Sequence, residues 1–258
     1  MTLFFAVILG LVQGFTEFLP ISSSGHLVLL ENIFGIENNC LLFDIVLHLG
    51  TLLAVVLCYK KDILYIIKNP LSDFALKLYT ATIPTLIIAL LFNNFFENTF
   101  NGHALFISFF VTGIFLIIAE VISHKSYQYK PMTYKKALVV GLFQGIALIP
   151  GISRSGTTIA SCMVQGVKRQ ESAKFSFLLS IPIILASAFY ECLKLPSSSI
   201  NLPFGTFVIG FIFAAFSGII SIKIMLKIIK KANYFYFSIY LFILSLLLFF
   251  NQFIFFWF

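Results

Sequence analysis

Apolar runs of about 20 residues recur along the whole chain, separated by short polar or basic stretches. As helices, runs of this length cross the hydrocarbon core of a bilayer. Two of the runs are interrupted. The first, Met1 to Leu19, stops at Pro20, because proline disfavours helix at Leu19 and removes a backbone donor. Ser22 to Ser24 then offer N-caps for a second short helix through about Phe34. Three uninterrupted spans follow, roughly Leu41–Tyr59, Phe74–Phe92 and Ala104–Ile122. A second broken run covers roughly Lys135–Gly166 and breaks at Pro150-Gly151. Three more spans close the chain, roughly Lys174–Leu193, Phe204–Ile222 and Phe235–Trp257. Non-helical backbone at membrane depth is tolerated only when it is buried in protein or lines a wet cavity. The pattern therefore predicts an all-α polytopic membrane protein, with about six transmembrane helices plus two re-entrant helical hairpins.

The two broken runs are copies of one another. Gly10 to His26, GLVQGFTEFLPISSSGH, aligns without a gap at an offset of 131 with Gly141 to Thr157, GLFQGIALIPGISRSGT. The changes matter as much as the matches: Glu17 becomes Leu148, Ser23 becomes Arg154 and His26 becomes Thr157. One integral membrane domain, 1–258, thus divides into repeat 1 (about 1–122, hairpin 1–34) and repeat 2 (about 135–257, hairpin 135–166). A hairpin returns to the side it came from and three spans then switch sides, so the two repeats have inverted topology.

Charge sets the orientation. Lys60, Lys61, Lys68 and Lys77 follow the first span, and Lys125, Lys130, Lys135 and Lys136 follow the third. Lys168, Arg169 and Lys174 follow the second hairpin, and Lys223, Lys227, Lys230 and Lys231 follow the fifth span. All fall on one face, which the positive-inside rule makes cytoplasmic. Both termini and the opening of the first hairpin then lie outside, and the second hairpin opens inward. The net charge of +7 is explained by this asymmetry, and no nucleic-acid partner is expected. At 60% hydrophobic and 10% charged, the chain leaves no room for a separate soluble domain. Cys40, Cys58, Cys162 and Cys192 have no metal spacing and read as small core residues. The first segment lacks a basic n-region and contains Glu17, so it is not expected to be a cleaved signal peptide.

The candidate chemistry sits in the hairpins. A carboxylate at the bilayer centre costs about 2.5–3.5 kcal/mol on insertion scales, so Glu17 needs a partner and a task. Gln13 and Glu17 share one helix face. The helix starts after Pro20 and Pro150 present free N–H groups suited to anions, and Arg154 adds a guanidinium fork for phosphate oxygens. Two such helix starts facing each other make a site for a doubly phosphorylated headgroup. Glu17 is then a base or a ligand to Mg²⁺ bridging the phosphates. His26 is a candidate for proton relay or for attack on phosphorus. A purely structural Glu17–Arg154 ion pair is the competing reading. Asp44 and His48, four apart, are either a supporting pair or part of the entrance. Glu120 and Glu191 are expected at the interface, and His103 and His124 in loops.

QGFTEFLPISSSGH (13–26) and PGISRSGTT (150–158), with FDIVLHLGTLLAV (43–55), resemble the bacterial undecaprenyl-diphosphate phosphatase family, also called BacA or bacitracin resistance protein. The resemblance covers essentially the whole chain. It implies hydrolysis of undecaprenyl diphosphate to undecaprenyl phosphate and inorganic phosphate, recycling the lipid carrier of cell-wall synthesis on the outer face of the bacterial plasma membrane. It also implies bacitracin resistance, a divalent cation (Mg²⁺ or Ca²⁺) bound with the diphosphate, and a polyprenyl diphosphate lipid as partner. By the family pattern Glu17, Ser23, His26 and Arg154 are the central residues, with Glu17 also a metal ligand. Gln13, Ser22, Ser24, Ser153, Ser155 and Thr158 surround the substrate. Gln13 stands where the family pattern admits Glu or Gln, so only Glu17 supplies a carboxylate. Ser23 is the preferred nucleophile, with His26 as its base or as the acid for the leaving group. A homodimer is compatible with this reading. A polyprenyl-phosphate flippase is the alternative, because broken helices in inverted repeats also mark transporters.

Overall fold

A computed structural model of the chain describes residues 2–36, 41–100, 102–125, 129–194, 202–231 and 233–255. Among these residues there are twelve α-helices and no strand. In chain order they are α1 (Leu3–Phe18), α2 (Ser23–Ile33), α3 (Leu41–Cys58), α4 (Lys60–Lys68), α5 (Asp73–Leu91) and α6 (Asn93–Thr99). Then come α7 (Leu105–Lys125), α8 (Tyr134–Ile146), α9 (Arg154–Val164), α10 (Arg169–Lys194), α11 (Phe204–Lys231) and α12 (Phe235–Phe250), which a π-helical turn, Asn251–Phe255, prolongs. Helices α3, α5, α7, α10, α11 and α12 are long and apolar enough to cross a membrane. Their outward faces expose large apolar side chains such as Ile87, Phe110, Leu185, Phe216 and Leu247. A contiguous apolar surface of this kind is suited to lipid rather than water.

The chain reversals fall on two ends of the bundle, and contacts between the segments there identify them. At one end Lys174 pairs with Asp62 at 2.5 Å, Tyr134 donates to Asp73 at 2.9 Å, and the Lys130 N–H donates to the Gly166 carbonyl at 2.9 Å. At the other end the rings of Phe5 and Phe34 stack at 4.5 Å and Lys194 pairs with Glu97 at 2.5 Å. The hydrogen bond from Lys194, with a second from Asn93, draws the Glu97 carboxyl below its usual range. Phe5, near the start of α1, thus lies against Phe34, just after α2, and the segments before α8 and after α9 meet at Lys130 and Gly166.

Tight helix packing holds the first broken pair in place. A Cβ at Gly14 would fall 2.0 Å from Ser217 Oγ and 2.4 Å from the Ala214 carbonyl oxygen, so only glycine lets α1 lie against α11. Ser221 donates from α11 to the Phe15 carbonyl at 2.8 Å. In the second pair Thr85 of α5 donates to the Gly141 carbonyl at 2.9 Å and accepts from Gln144 at 2.9 Å.

Several expectations need correction. The stretch after the first span is not a loop but α4, and α6 follows α5. Acid in its first turn and Lys68 in its last suit the α4 dipole, while Ile63 and Ile66, three apart, pack toward the core. Helix α11 runs on through Lys231, well past the expected Ile222. His124 belongs to the last turn of α7 rather than to a loop. Cys162 is buried but Cys192 is exposed, so the cysteines are not uniformly core residues. Cys40 and the Trp257 end of the last span lie outside the described residues. Glu120, near the end of α7, is packed inside the protein. It is fully buried, ion-paired with Arg169 at 2.8 Å, and accepts the Tyr234 N–H at 3.3 Å. A buried carboxylate with a guanidinium and a backbone donor ties α7 to the starts of α10 and α12.

Candidate active site

Each hairpin tip is built from its own local sequence. Leu19, just before Pro20, is extended (φ −77°, ψ 148°), as the proline ring requires, and this ends α1 at Phe18. Ser22 caps α2 by accepting the Gly25 N–H at 3.4 Å, and it does so at φ +70°. A non-glycine residue in this region costs on the order of 1–3 kcal/mol and persists only where its surroundings hold it. In the second tip Ser153 caps α9 from ordinary extended backbone (φ −68°, ψ 115°), accepting the Gly156 N–H at 3.0 Å. The loop before it is tied to α7: Thr112 Oγ1 accepts the Ser153 N–H at 3.2 Å and donates to the Gly151 carbonyl at 3.1 Å.

The two tips interlock inside the bundle. Gly25 lies so close to Gly151 that a Cβ added to Gly25 would sit 2.8 Å from the Gly151 Cα. Ser155 donates across the join to the Leu19 carbonyl at 3.0 Å. This close approach brings Glu17 of the first copy to Arg154 of the second, residues 137 apart in sequence. The substitutions that distinguish the two copies are thus what meet.

Glu17 is 5% exposed and fully engaged. Its Oε1 accepts from the Arg154 guanidinium in a short ion pair. Its Oε2 accepts from Ser23 Oγ at 2.5 Å and from Gln13 Nε2 at 3.2 Å. His48 Nε2 stands 4.0 Å from the same oxygen, and that ring is partly exposed. A carboxylate held between a guanidinium and a serine hydroxyl can take the serine proton while the cation organises negative charge nearby.

The remaining expected residues divide by position. Ser22, Ser24 and Ser153 belong to the caps, with Ser24 Oγ 3.4 Å from Ser22 Oγ and Ser153 Oγ 3.4 Å from Ser155 Oγ. Thr158 lies behind Arg154, donating to its carbonyl at 2.9 Å and bonding Ser176 at 2.6 Å. His26 turns away from Ser23 and Glu17: its Nδ1 bonds the Ser22 carbonyl at 2.6 Å and its Nε2 bonds the Tyr240 hydroxyl at 2.6 Å. Asp44 and His48 meet through backbone, because His48 Nδ1 bonds the Asp44 carbonyl at 2.8 Å and not its carboxylate. Tyr240 escaped sequence reasoning altogether. It is one aromatic among many in its span and 214 residues from its partner.

The donor set bears on the implied divalent cation. Gln13 Oε1 is buried without a hydrogen-bond partner, an acceptor next to Glu17 that a cation would satisfy. Among the described residues no group of three or more His, Cys, Asp or Glu could hold a metal. The side chains thus fit a cation only as a partial shell, one carboxylate and one amide oxygen, completed by ligands from outside the protein.

Comparison with known proteins places the chain in a family. Residues 6–247 match the family model described as bacitracin resistance protein BacA. The chain is 45% identical over 249 residues to a protein of Carboxydothermus hydrogenoformans named undecaprenyl-diphosphatase, covering 95% of each chain. It is 39% identical over 252 residues to a protein of the same name from Halothermothrix orenii, covering 96% of this chain and 97% of that one. A Bacillus cereus protein named undecaprenyl-diphosphatase 3 is 40% identical over 252 residues, with 96% of each chain covered. With nearly the whole chain matched, both motifs (13–26 and 150–158) included, the chain belongs to the bacitracin resistance protein BacA family.

Proposed function

We propose that this protein is an integral membrane hydrolase that converts undecaprenyl diphosphate to undecaprenyl phosphate and inorganic phosphate. The observation that carries this is the Glu17 carboxylate held between Ser23 Oγ and the Arg154 guanidinium where the two tips meet. Arg154 leaves Glu17 for the phosphate oxygens when the diphosphate enters, because a guanidinium matches them in a bidentate fork. Ser23 Oγ attacks the terminal phosphorus and passes its proton to Glu17 Oε2. The Oγ–P bond forms as the bridging P–O bond breaks, and undecaprenyl phosphate leaves as a monoester that needs no proton. Water then attacks the phosphoserine as Glu17 returns its proton to the departing Ser23 Oγ; one water hydrogen stays on the released inorganic phosphate and the other leaves as a proton to solvent. Arg154 and the N–H groups at the start of α2 stabilise the charge on the transferring group.

Glu17 and Gln13 Oε1 would hold a Mg²⁺ or Ca²⁺ ion together with diphosphate oxygens. Such an ion supplies charge neutralisation at the phosphates. The reading is tested by phosphate release from undecaprenyl diphosphate by the purified protein in detergent. Release is expected with Mg²⁺ and should fall at least about tenfold in EDTA. No release from folded protein that still binds the lipid would overturn the hydrolase reading.

The site's setting follows from the same picture. The hairpins are re-entrant and the repeats inverted across the bacterial plasma membrane, with the lysine-rich end cytoplasmic. The first hairpin opens outward, where it meets the spent lipid carrier of cell-wall synthesis. Removing undecaprenyl diphosphate also removes the lipid that bacitracin sequesters. In an otherwise cysteine-free protein, Asn32→Cys is expected to react with an impermeant maleimide in intact cells, and Lys61→Cys only after permeabilisation. The reverse pattern would invert the assignment.

A further inference from the structure

The geometry points to Tyr240 as a positioning residue that acts through His26 on the Ser22 turn presenting Ser23. This rests on the reading of Ser23 as nucleophile. The His26 ring is fixed at both nitrogens. Nδ1 faces the Ser22 carbonyl oxygen at 2.6 Å, and a carbonyl can only accept, so Nδ1 carries the proton. Nε2 of the neutral ring is then a lone pair, and the Tyr240 hydroxyl, 2.6 Å away, donates to it. The two rings also lie nearly parallel, at 8° with centroids 5.8 Å apart, and Phe109 closes the other side edge-on at 5.3 Å.

The Ser22 carbonyl therefore accepts from both the His26 ring and the His26 N–H at 3.3 Å. It belongs to the residue whose φ of +70° turns the chain so that Ser23 reaches Glu17. The second copy provides an internal control. There the His26 position is Thr157, the cap Ser153 has an ordinary φ of −68°, and Arg154 replaces the nucleophile. The imidazole brace occurs only in the copy whose cap residue adopts the uncommon conformation. Tyr240 suits the bracing role because its hydroxyl can donate to neutral His26 and accept from the protonated ring, so the ring need not move when its charge changes.

The test is Tyr240→Phe in the full-length protein, which removes one oxygen from a half-exposed ring and leaves the stacking surface intact. Two measurements are made. Nitrogen-15 spectra of histidine-labelled protein in nanodiscs, with His26 assigned by its absence in His26→Gln, read the ring directly and need no turnover. Phosphate release resolved into kcat and KM reads the consequence. The expected result is His26 in the Nδ1–H form in the wild type, a shifted or mixed-tautomer His26 signal in Tyr240→Phe, and kcat about tenfold lower with KM unchanged. Unchanged His26 resonances would overturn the proposal, as would a kcat equal to wild type. A wild type that turns over beside a Tyr240→Phe protein with the same kcat sinks the positioning role and leaves the hydrolase reading standing. A wild type that releases no phosphate sinks both the Ser23 reading and the role in turnover built on it, while the nitrogen-15 result still decides whether Tyr240 holds the ring.

Discussion

Arg154→Ala is expected to lower kcat/KM for undecaprenyl diphosphate by about 10³-fold, near the lower end of what a transferring phosphoryl group gains from a well-placed arginine. Among the described residues Arg154 is the one cation within hydrogen-bonding distance of Glu17, and it starts the helix whose cap meets the first tip. Its loss removes positive charge where the diphosphate carries negative charge, and it also strands Glu17. Breaking a buried ion pair by deleting one partner costs about 3–5 kcal/mol of stability, so the loss of turnover has to be separated from unfolding. Arg154→Lys provides that separation. It keeps the charge but loses the planar fork, and is expected to recover stability more fully than kcat/KM. The measurement is phosphate release beside thermal unfolding of each variant in the same detergent. A stably folded Arg154→Ala protein with wild-type turnover would remove the guanidinium from the chemistry and leave only the structural pairing.

Glu17→Ala is expected to be comparably severe, about 10²–10⁴-fold in kcat, the range for losing a positioned general base. Its carboxylate is where four polar groups converge: Arg154, Ser23, Gln13 and, at 4.0 Å, His48. Removing it deprives Ser23 of the acceptor for its proton and leaves the guanidinium buried without its partner. Glu17→Gln separates these losses. The amide can still accept from Ser23 through its oxygen but cannot take a proton, so kcat should stay low while Ser23 keeps its orientation. Trapping a phosphorylated enzyme in this background reports the nucleophile: little phosphoserine is expected in Glu17→Gln. Rapid phosphoserine formation there would mean that another group, such as His48, accepts the proton. Gln13 contributes one hydrogen bond to the Glu17 carboxylate, so Gln13→Ala belongs in a lower class of effect, about 1.5–3 kcal/mol.

Much of this protein was legible in its residues because the signals are local or periodic. The length of the apolar runs set the six spans, and Pro20 and Pro150 marked the breaks in the two copies. The repeat exposed Glu17 and Arg154, because a substitution that puts charge into an apolar copy has to be compensated somewhere. The α4 helix was missed because its short apolar run, Ile63 to Ile67, is flanked by Lys60, Lys61, Asp62 and Lys68 and resembles a polar connection until it packs against the spans. The burial of Glu120 was missed for a different reason. Position near a span end suggests an interface, and only the arrival of Arg169 from 49 residues away makes burial tolerable.

The sequence alone thus determined the all-helical membrane class, the two broken segments and the residue types able to handle a phosphate. Spacing and hydropathy act over a few turns, and those features depend on nothing more distant. The tertiary structure decided which of those residues share a site. Glu17 meets Arg154, Ser23 and His48, while His26 is claimed by Tyr240 from the last span. Such pairings are set by where glycine-lined helices can approach and by which buried polar groups must find partners there. Contacts across 137 or 214 residues leave no periodic trace in the chain that forms them.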